Sequence, residues 1–338
     1  MGRLYTSFSE LSTFERCPTE HYYKYDQRLE NRDYGRRRNL VIGHLYGRTA
    51  EEVYRLGPPK GEPLDPVWLA SLVDNQAALL LADEYGSAGS QAWFNERDFL
   101  VDVYVAKHIV WVFGRDVYPA EPYRHVGAER QVRMQIAGTE FIGYVDHDYE
   151  LDLEDGRVLQ FIGEDKTRQP TWSARLQETV PEDPQVLFYL LAGMTEGRHS
   201  DGVVYTAYRK PKREFLRAET YPAIAAQFEA IDGHYRRARK PYLREEIRFQ
   251  IDRREVERNI TRRIHQRNRF TKNIYRSLAG LAPMSSSHYP CTHCDFSPLC
   301  HGAGLDSRFT YRPSRSHTPH VGTQETDERP EGNQRPVG

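Results

Sequence analysis

Two sets of chemically active residues occur in this chain, one nested inside the other. Asp146, the triplet Glu164-Asp165-Lys166, and the pair Gln185 and Tyr189 lie between one early cysteine, Cys17, and three late ones, Cys291, Cys294 and Cys300. The inner set constrains the fold, because its members meet only if the segments carrying them form adjacent strands and a helix. The pattern supports this. Val126, Ala128, Val132, Met134 and Ile136 alternate with polar residues, Gly138 turns the chain, and Phe141–Glu150 alternates again. The Asp155-Gly156 dipeptide then predicts a tight hairpin into a third strand over Val158–Asp165.

Around this sheet the sequence predicts helices. Ser7-Phe8-Ser9-Glu10-Leu11 reads as a capped helix entry, and Pro18 suits the first turn of a second helix through Tyr22, Tyr23 and Tyr25. Residues 39–56 are a third. Pro58, Pro59 and Pro66 precede two further helical stretches, 67–85 and 91–117. After the three strands come a helix over 183–195, a buried-looking strand Gly202–Tyr208, a helix over 220–239 and a basic helix over 253–279. Almost no apolar residue follows Tyr311, so disorder is expected from about residue 308. The units expected are N-terminal helices with the first cysteine (1–57), a helical insertion (58–121), an α/β core (122–250), the basic helix with the cysteine loop (251–307) and a tail (308–338).

The inner set has the composition of a divalent-metal site. Residues i and i+2 of a strand share a face, so Glu164 and Lys166 point together, and the hairpin brings Asp146 alongside. Two carboxylates are hard ligands for Mg²⁺ or Mn²⁺, and a neighbouring lysine can orient or deprotonate a metal-bound water or stabilise charge at phosphorus. Glu129, one strand earlier, adds a further carboxylate. Gln185 and Tyr189, four apart on a helix, share a face and suit holding a phosphate or the lysine.

In this order, Gly143-Tyr144-Val145-Asp146, Gly163-Glu164-Asp165-Lys166-Thr167 and Gln185-Val186-Leu187-Phe188-Tyr189 resemble the PD-(D/E)XK nuclease superfamily, in its RecB-type branch, over residues 7–302. The resemblance implies a restriction-endonuclease-like α/β fold, a central mixed sheet flanked by helices, with Asp146, Glu164, Lys166, Gln185 and Tyr189 as site residues. It also implies a metal-ligand histidine on an early helix. At that position this chain has Gly47, with His44 three residues upstream and Glu51 four beyond, so His44 is expected to substitute as the ligand.

The cysteines leave two readings open. Cys291, Cys294 and Cys300 with His293 or His301 have zinc-ligand spacing, which would leave Cys17 unexplained. The segment Cys17-Pro18-Thr19-Glu20-His21-Tyr22-Tyr23 resembles that of iron–sulfur RecB-type nucleases, the AddB-like helicase-nucleases and CRISPR-associated prespacer-processing nucleases. The resemblance implies that Cys17, Cys291, Cys294 and Cys300 hold a [4Fe–4S] cluster stapling the N- and C-terminal segments.

The basic helix places Arg258, Arg262, Arg269, Lys272 and Arg276 on one stripe and Val256, Ile260 and Ile264 on the opposing one, an arrangement suited to phosphates. Tyr205, Tyr208, Arg209, Lys210, Lys212 and Arg213 are expected to add stacking and charge for single strands. The reading is a metal-dependent DNA nuclease, most simply an exonuclease on single-stranded or end-bearing DNA in recombination, repair or spacer processing. Its rivals are a nuclease-inactive DNA-end-binding scaffold and a zinc-stapled endonuclease. No Gly-x-x-x-x-Gly-Lys-Ser/Thr motif occurs, so unwinding falls to a helicase or a recombination or CRISPR partner. The net charge of −1 excludes nothing, no apolar run approaches a membrane span, and a cytoplasmic location is expected.

Overall fold

The computed structural model describes residues 5–31, 33–85, 94–168, 180–211, 241–249, 251–277, 294–300, 305 and 309–311. The helix expected over 220–239 lies outside them. Strand β1 (Tyr5–Thr6) leads into α1 (Phe8–Arg16), whose first turn is capped as expected: the Glu10 N–H donates to Ser7 Oγ at 3.2 Å. The extended backbone of Cys17 ends α1 and begins α2 (Pro18–His21), which widens into a π turn at Tyr22–Asp26 before β2 (Leu29–Asn31). Three long helices follow, α3 (Tyr34–Leu56), α4 (Pro66–Tyr85) and α5 (Glu96–Val112). They bury Leu45, Val53, Val73 and Ile109 against one another.

The sheet is built from β3 (Arg124–Ile136), β4 (Thr139–Asp152), β5 (Val158–Arg168), β6 (Gly202–Arg209) and β7 (Tyr242–Arg248), with α6 (Pro184–Thr195) crossing from β5 to β6. The neighbours β3–β4, β4–β5 and β6–β7 are antiparallel and β5–β6 parallel, while β1 joins β4 in parallel at Tyr5↔Glu140. β7 carried no sequence signal because Arg244, Glu245 and Glu246 interrupt its alternation; it pairs on one side, with β6. All residues of β6 are buried, as a strand covered on both faces requires. Val203, Tyr205 and Ala207 face the layer of α1, α6 and α7 (Arg253–Ser277), whereas Val204 and Tyr208 face that of α3, α4 and α5. The mixed sheet with helices on both faces is consistent with the restriction-endonuclease-like arrangement.

The disorder expected from residue 308 does not hold at its start. After α8 (Ser297–Cys300), β8 (Phe309–Tyr311) pairs antiparallel with β2. Tyr23 stacks on Phe296 at 5.8 Å and Asn31 Nδ2 donates to the Asp295 carbonyl at 2.8 Å, so early and late segments form one clasp. Partner groups from distant parts of the sequence supply the order that local composition lacks. Among the described residues no helix is long and apolar enough to cross a membrane.

Candidate active site

β4 and β5 pair from Asp152↔Val158 to His147↔Gly163 and then part, while β5 continues beside β6 to Arg168. Asp146, Glu164 and Lys166 stand in the resulting fork. The alternation of β4 slips there: Phe141 and Val145 face the α6 layer, but Tyr149 faces the α3 layer. Asp146 marks the changeover. Glu129, lying between the register pairs Ala128↔His147 and Arg130↔Val145, is the residue opposite it and has a left-handed backbone, φ 48°. Such a conformation costs about 1–3 kcal/mol in a non-glycine residue, strain of the sort held at functional sites.

Glu164 and Lys166 form an ion pair on the α6 side of β5. Glu164 is 1% exposed, and its Oε2 is buried with no hydrogen-bond partner among the described residues. Asp183 caps α6 and Pro184 starts it, which directs Gln185 and Tyr189 at the fork. Gln185 Nε2 donates to Glu164 Oε1 at 3.3 Å and to the Tyr189 hydroxyl at 2.7 Å. Gln185 thus contacts the carboxylate directly, and Tyr189 contacts Gln185. Gly143 makes room for this: a Cβ there would meet Tyr189 at 2.6 Å. Asp146 Oδ2 accepts the backbone N–H of Asp165 at 2.9 Å.

The carboxyls resist ionisation. Burial and the Glu164 charge push Asp146 up to about 7, against the pull of Lys166 and His147. Burial raises Glu164 also. Burial with the charges of Asp146 and Glu51 pushes Glu129 up to about 7. For Lys166 burial works the other way, but Glu164 and Asp146 outweigh it and hold the ammonium form.

A cleft of about 540 Å³ opens over the fork, lined by His44, Glu51, Glu129, Asp146, His147 and Lys166 among others. His44 and Gly47 both face it from α3, and a Cβ at Gly47 would meet nothing within 4 Å. Among the described residues, no three His, Cys, Asp or Glu side chains converge as a formed ligand group. The orphaned Glu164 oxygen and the shared reluctance of Asp146 and Glu129 to ionise nonetheless fit a hard divalent cation, whose charge removes both costs.

The basic helix α7 packs through Val256, Ile260 and Ile264, as its pattern predicts, and leaves Arg258, Arg262 and Arg269 exposed. Arg263 instead pairs with Glu15 at 3.3 Å, and Arg267 Nη1 donates to Thr6 Oγ1 at 2.7 Å. The side chains of Lys272 and Arg276 lie outside the described residues. The expected stacking surface on β6 is corrected: Tyr205 and Tyr208 are each 1% exposed, and Arg209 and Lys210 are also buried, because β6 is central. Lys212 and Arg213 are not among the described residues.

Cys17 and Cys294 are buried and Cys300 is partly exposed; no disulfide joins them among the described residues, and Cys291 is not one of those. Burial, with Glu20, Cys17 and Cys300 nearby, pushes the Cys294 thiol up to about 12. The fold therefore brings Cys17 to the neighbourhood of Cys294, although it had no local reason to do so.

No curated protein matches the chain. Among solved structures, the crystal structure of SSO0001 is similar at 12% identity and a TM-score of 0.30, over 79% of this chain and 98% of that one. A likeness of that size carries no argument. The profile of the PD-(D/E)XK nuclease superfamily, by contrast, matches residues 5–301. That span takes in the fork, the α6 pair and both cysteine segments, and the chain belongs to the PD-(D/E)XK nuclease superfamily.

Proposed function

We propose that the protein is a metal-dependent DNA exonuclease acting on single-stranded or end-bearing DNA. The observation that carries the reading is the fork, where a buried glutamate with one orphaned oxygen stands beside a lysine and a half-buried aspartate. Asp146 and Glu164 would hold Mg²⁺ or Mn²⁺, with His44 turned to the cleft from α3; the cation supplies an activated water and charge neutralisation at phosphorus. Gln185 and Tyr189 keep Glu164 in place. Lys166, held as an ammonium, suits stabilising the pentacovalent oxyanion better than abstracting a proton. The exposed Arg258, Arg262 and Arg269 would guide the phosphate backbone, and Lys272 and Arg276 continue the stripe in sequence.

We infer further that Cys17, Cys291, Cys294 and Cys300 hold a [4Fe–4S] cluster that locks the clasp. Support comes from Cys294, which packs with Leu29 of β2 and Phe309 of β8 and lies near Cys17 and Cys300. Partners would be DNA and a helicase or a recombination or CRISPR protein. The test is digestion of end-labelled single- and double-stranded DNA by anaerobically purified protein, with and without Mn²⁺. Release of terminal nucleotides only with metal is expected. Cleavage confined to internal positions removes the exonuclease reading, and a colourless, zinc-containing protein unaffected by Cys17→Ser removes the cluster.

A further inference from the structure

The residue between Glu164 and Lys166 points the other way. Asp165 faces the α3 layer, its side chain is 9% exposed, and its Oδ1 is buried with no hydrogen-bond partner among the described residues. Its Oδ2 accepts the Tyr46 hydroxyl at 2.5 Å and lies 3.4 Å from His147 Nε2. Its backbone N–H holds Asp146. One residue of β5 therefore touches α3 once and β4 twice, at the point where β4 and β5 separate.

Both arms are braced. The Tyr46 ring packs on Tyr208 at 4.7 Å, which Phe would preserve. His147 Nδ1 lies 3.3 Å from His125 Nε2, and His125 stacks at 4.1 Å on Tyr54, two turns along α3 from Tyr46. A carboxylate placed in this layer loses several kcal/mol of hydration that an apolar residue would not lose. Buried polar groups left partly unsatisfied call for a specific role.

We propose that Tyr46, Asp165 and His147 are positioning residues that clamp α3 to the open end of the fork, fixing Asp146 on one wall of the cleft against His44 and Glu51 on the other. The inference rests on the fork being the nuclease site. None of the three needs to touch the phosphodiester; they act through the Asp165 N–H to Asp146 contact and through the placement of α3.

The experiment compares Tyr46→Phe and Asp165→Asn with the unaltered full-length protein in three measurements: kcat and KM on end-labelled DNA, Mn²⁺ affinity by calorimetry, and melting temperature. Displacing a ligand wall slightly should lower kcat about tenfold in Tyr46→Phe and about a hundredfold in Asp165→Asn, with KM within about twofold. Mn²⁺ affinity should fall in both, and Tyr46→Phe should melt close to the parent. If Asp165→Asn does not fold, Tyr46→Phe decides alone. Parental kcat and Mn²⁺ affinity in the folded variants overturn the clamp, as does a rise in KM with kcat intact. Lys166→Ala separates the two ideas: if it still cleaves, the fork reading fails, whereas an inactive Lys166→Ala beside a fully active Tyr46→Phe sinks only the clamp.

Discussion

The two faces of the sheet are both buried and are built differently. Under α6 and α7 the contacts are mainly hydrocarbon, with Val186, Phe188, Leu191, Val203 and Ile264 closing the layer, and charge enters at the fork and where Arg267 of α7 meets Glu10. Under α3 the sheet meets a polar web. Glu121, whose side chain is fully buried, accepts the Tyr54 hydroxyl at 3.0 Å, pairs with Lys60 at 3.2 Å and contacts Arg244, while Tyr54 and Tyr149 share a 3.0 Å hydrogen bond. Hydrocarbon contact is non-directional and supports the strained fork cheaply. A hydrogen-bonded web fixes angles and distances, which suits the face on which a cleft wall must be placed.

The largest effect should come from the fork itself. Lys166→Ala or Asp146→Ala should cut metal-dependent cleavage by about a thousandfold or more, measured on labelled DNA with calorimetric scanning to show that the variant is folded. Substantial residual cleavage would move the chemistry elsewhere. Next comes the contrast in stability. Glu121→Leu strands Arg244 and Lys60 and should cost about 3–5 kcal/mol, because breaking a buried ion network leaves uncompensated charge. Leu191→Ala on the apolar face should cost about 2–5 kcal/mol through cavity formation alone. Denaturant melts of the two variants measure both costs.

The pH dependence sharpens the comparison further. Asp146 and Glu129 titrate near about 7 in the folded chain. Between the ordinary carboxyl range and that value the folded state keeps protons that the unfolded chain has lost. Their effect therefore favours folding at the acid end and is lost as pH rises through about 7. In chelator, the melting temperature should carry this downward trend with rising pH, and Asp146→Asn should flatten it. Mn²⁺ should reverse it. An unchanged slope in Asp146→Asn would mean that the aspartate titrates normally. The smallest effect belongs to α7. Arg262→Glu with Arg269→Glu should weaken DNA binding and reduce its salt slope by about two phosphate contacts. Arg263→Glu and Arg267→Glu should act on stability instead, because those side chains face Glu15, Glu10 and Thr6.

What could be read from the sequence was periodic. Glu164 with Lys166, and Gln185 with Tyr189, share faces because strand and helix periods dictate it, and Val256, Ile260 and Ile264 mark the inner side of α7 for the same reason. What escaped was set by contacts between distant segments. Nothing near Asp165 announces Tyr46, 119 residues away, as its partner. Nor does local alternation predict the slip at Asp146, which depends on β4 changing partners. Tyr208 and Lys210 misled because aromatic and basic residues read as a binding surface until β6 proves central.

The clasp between β2 and β8 also has a consequence in time. Every strand of the main sheet, through β7 at Arg248, leaves the ribosome before Phe309 exists to pair with Asn31. Closing a loop of that length is slow relative to local helix and hairpin formation. During that interval Cys17 and the residues around it wait without the contacts that the late segment supplies. The order of synthesis thus makes the clasp late to form and leaves the neighbourhood of Cys17 open until Phe309 has been made.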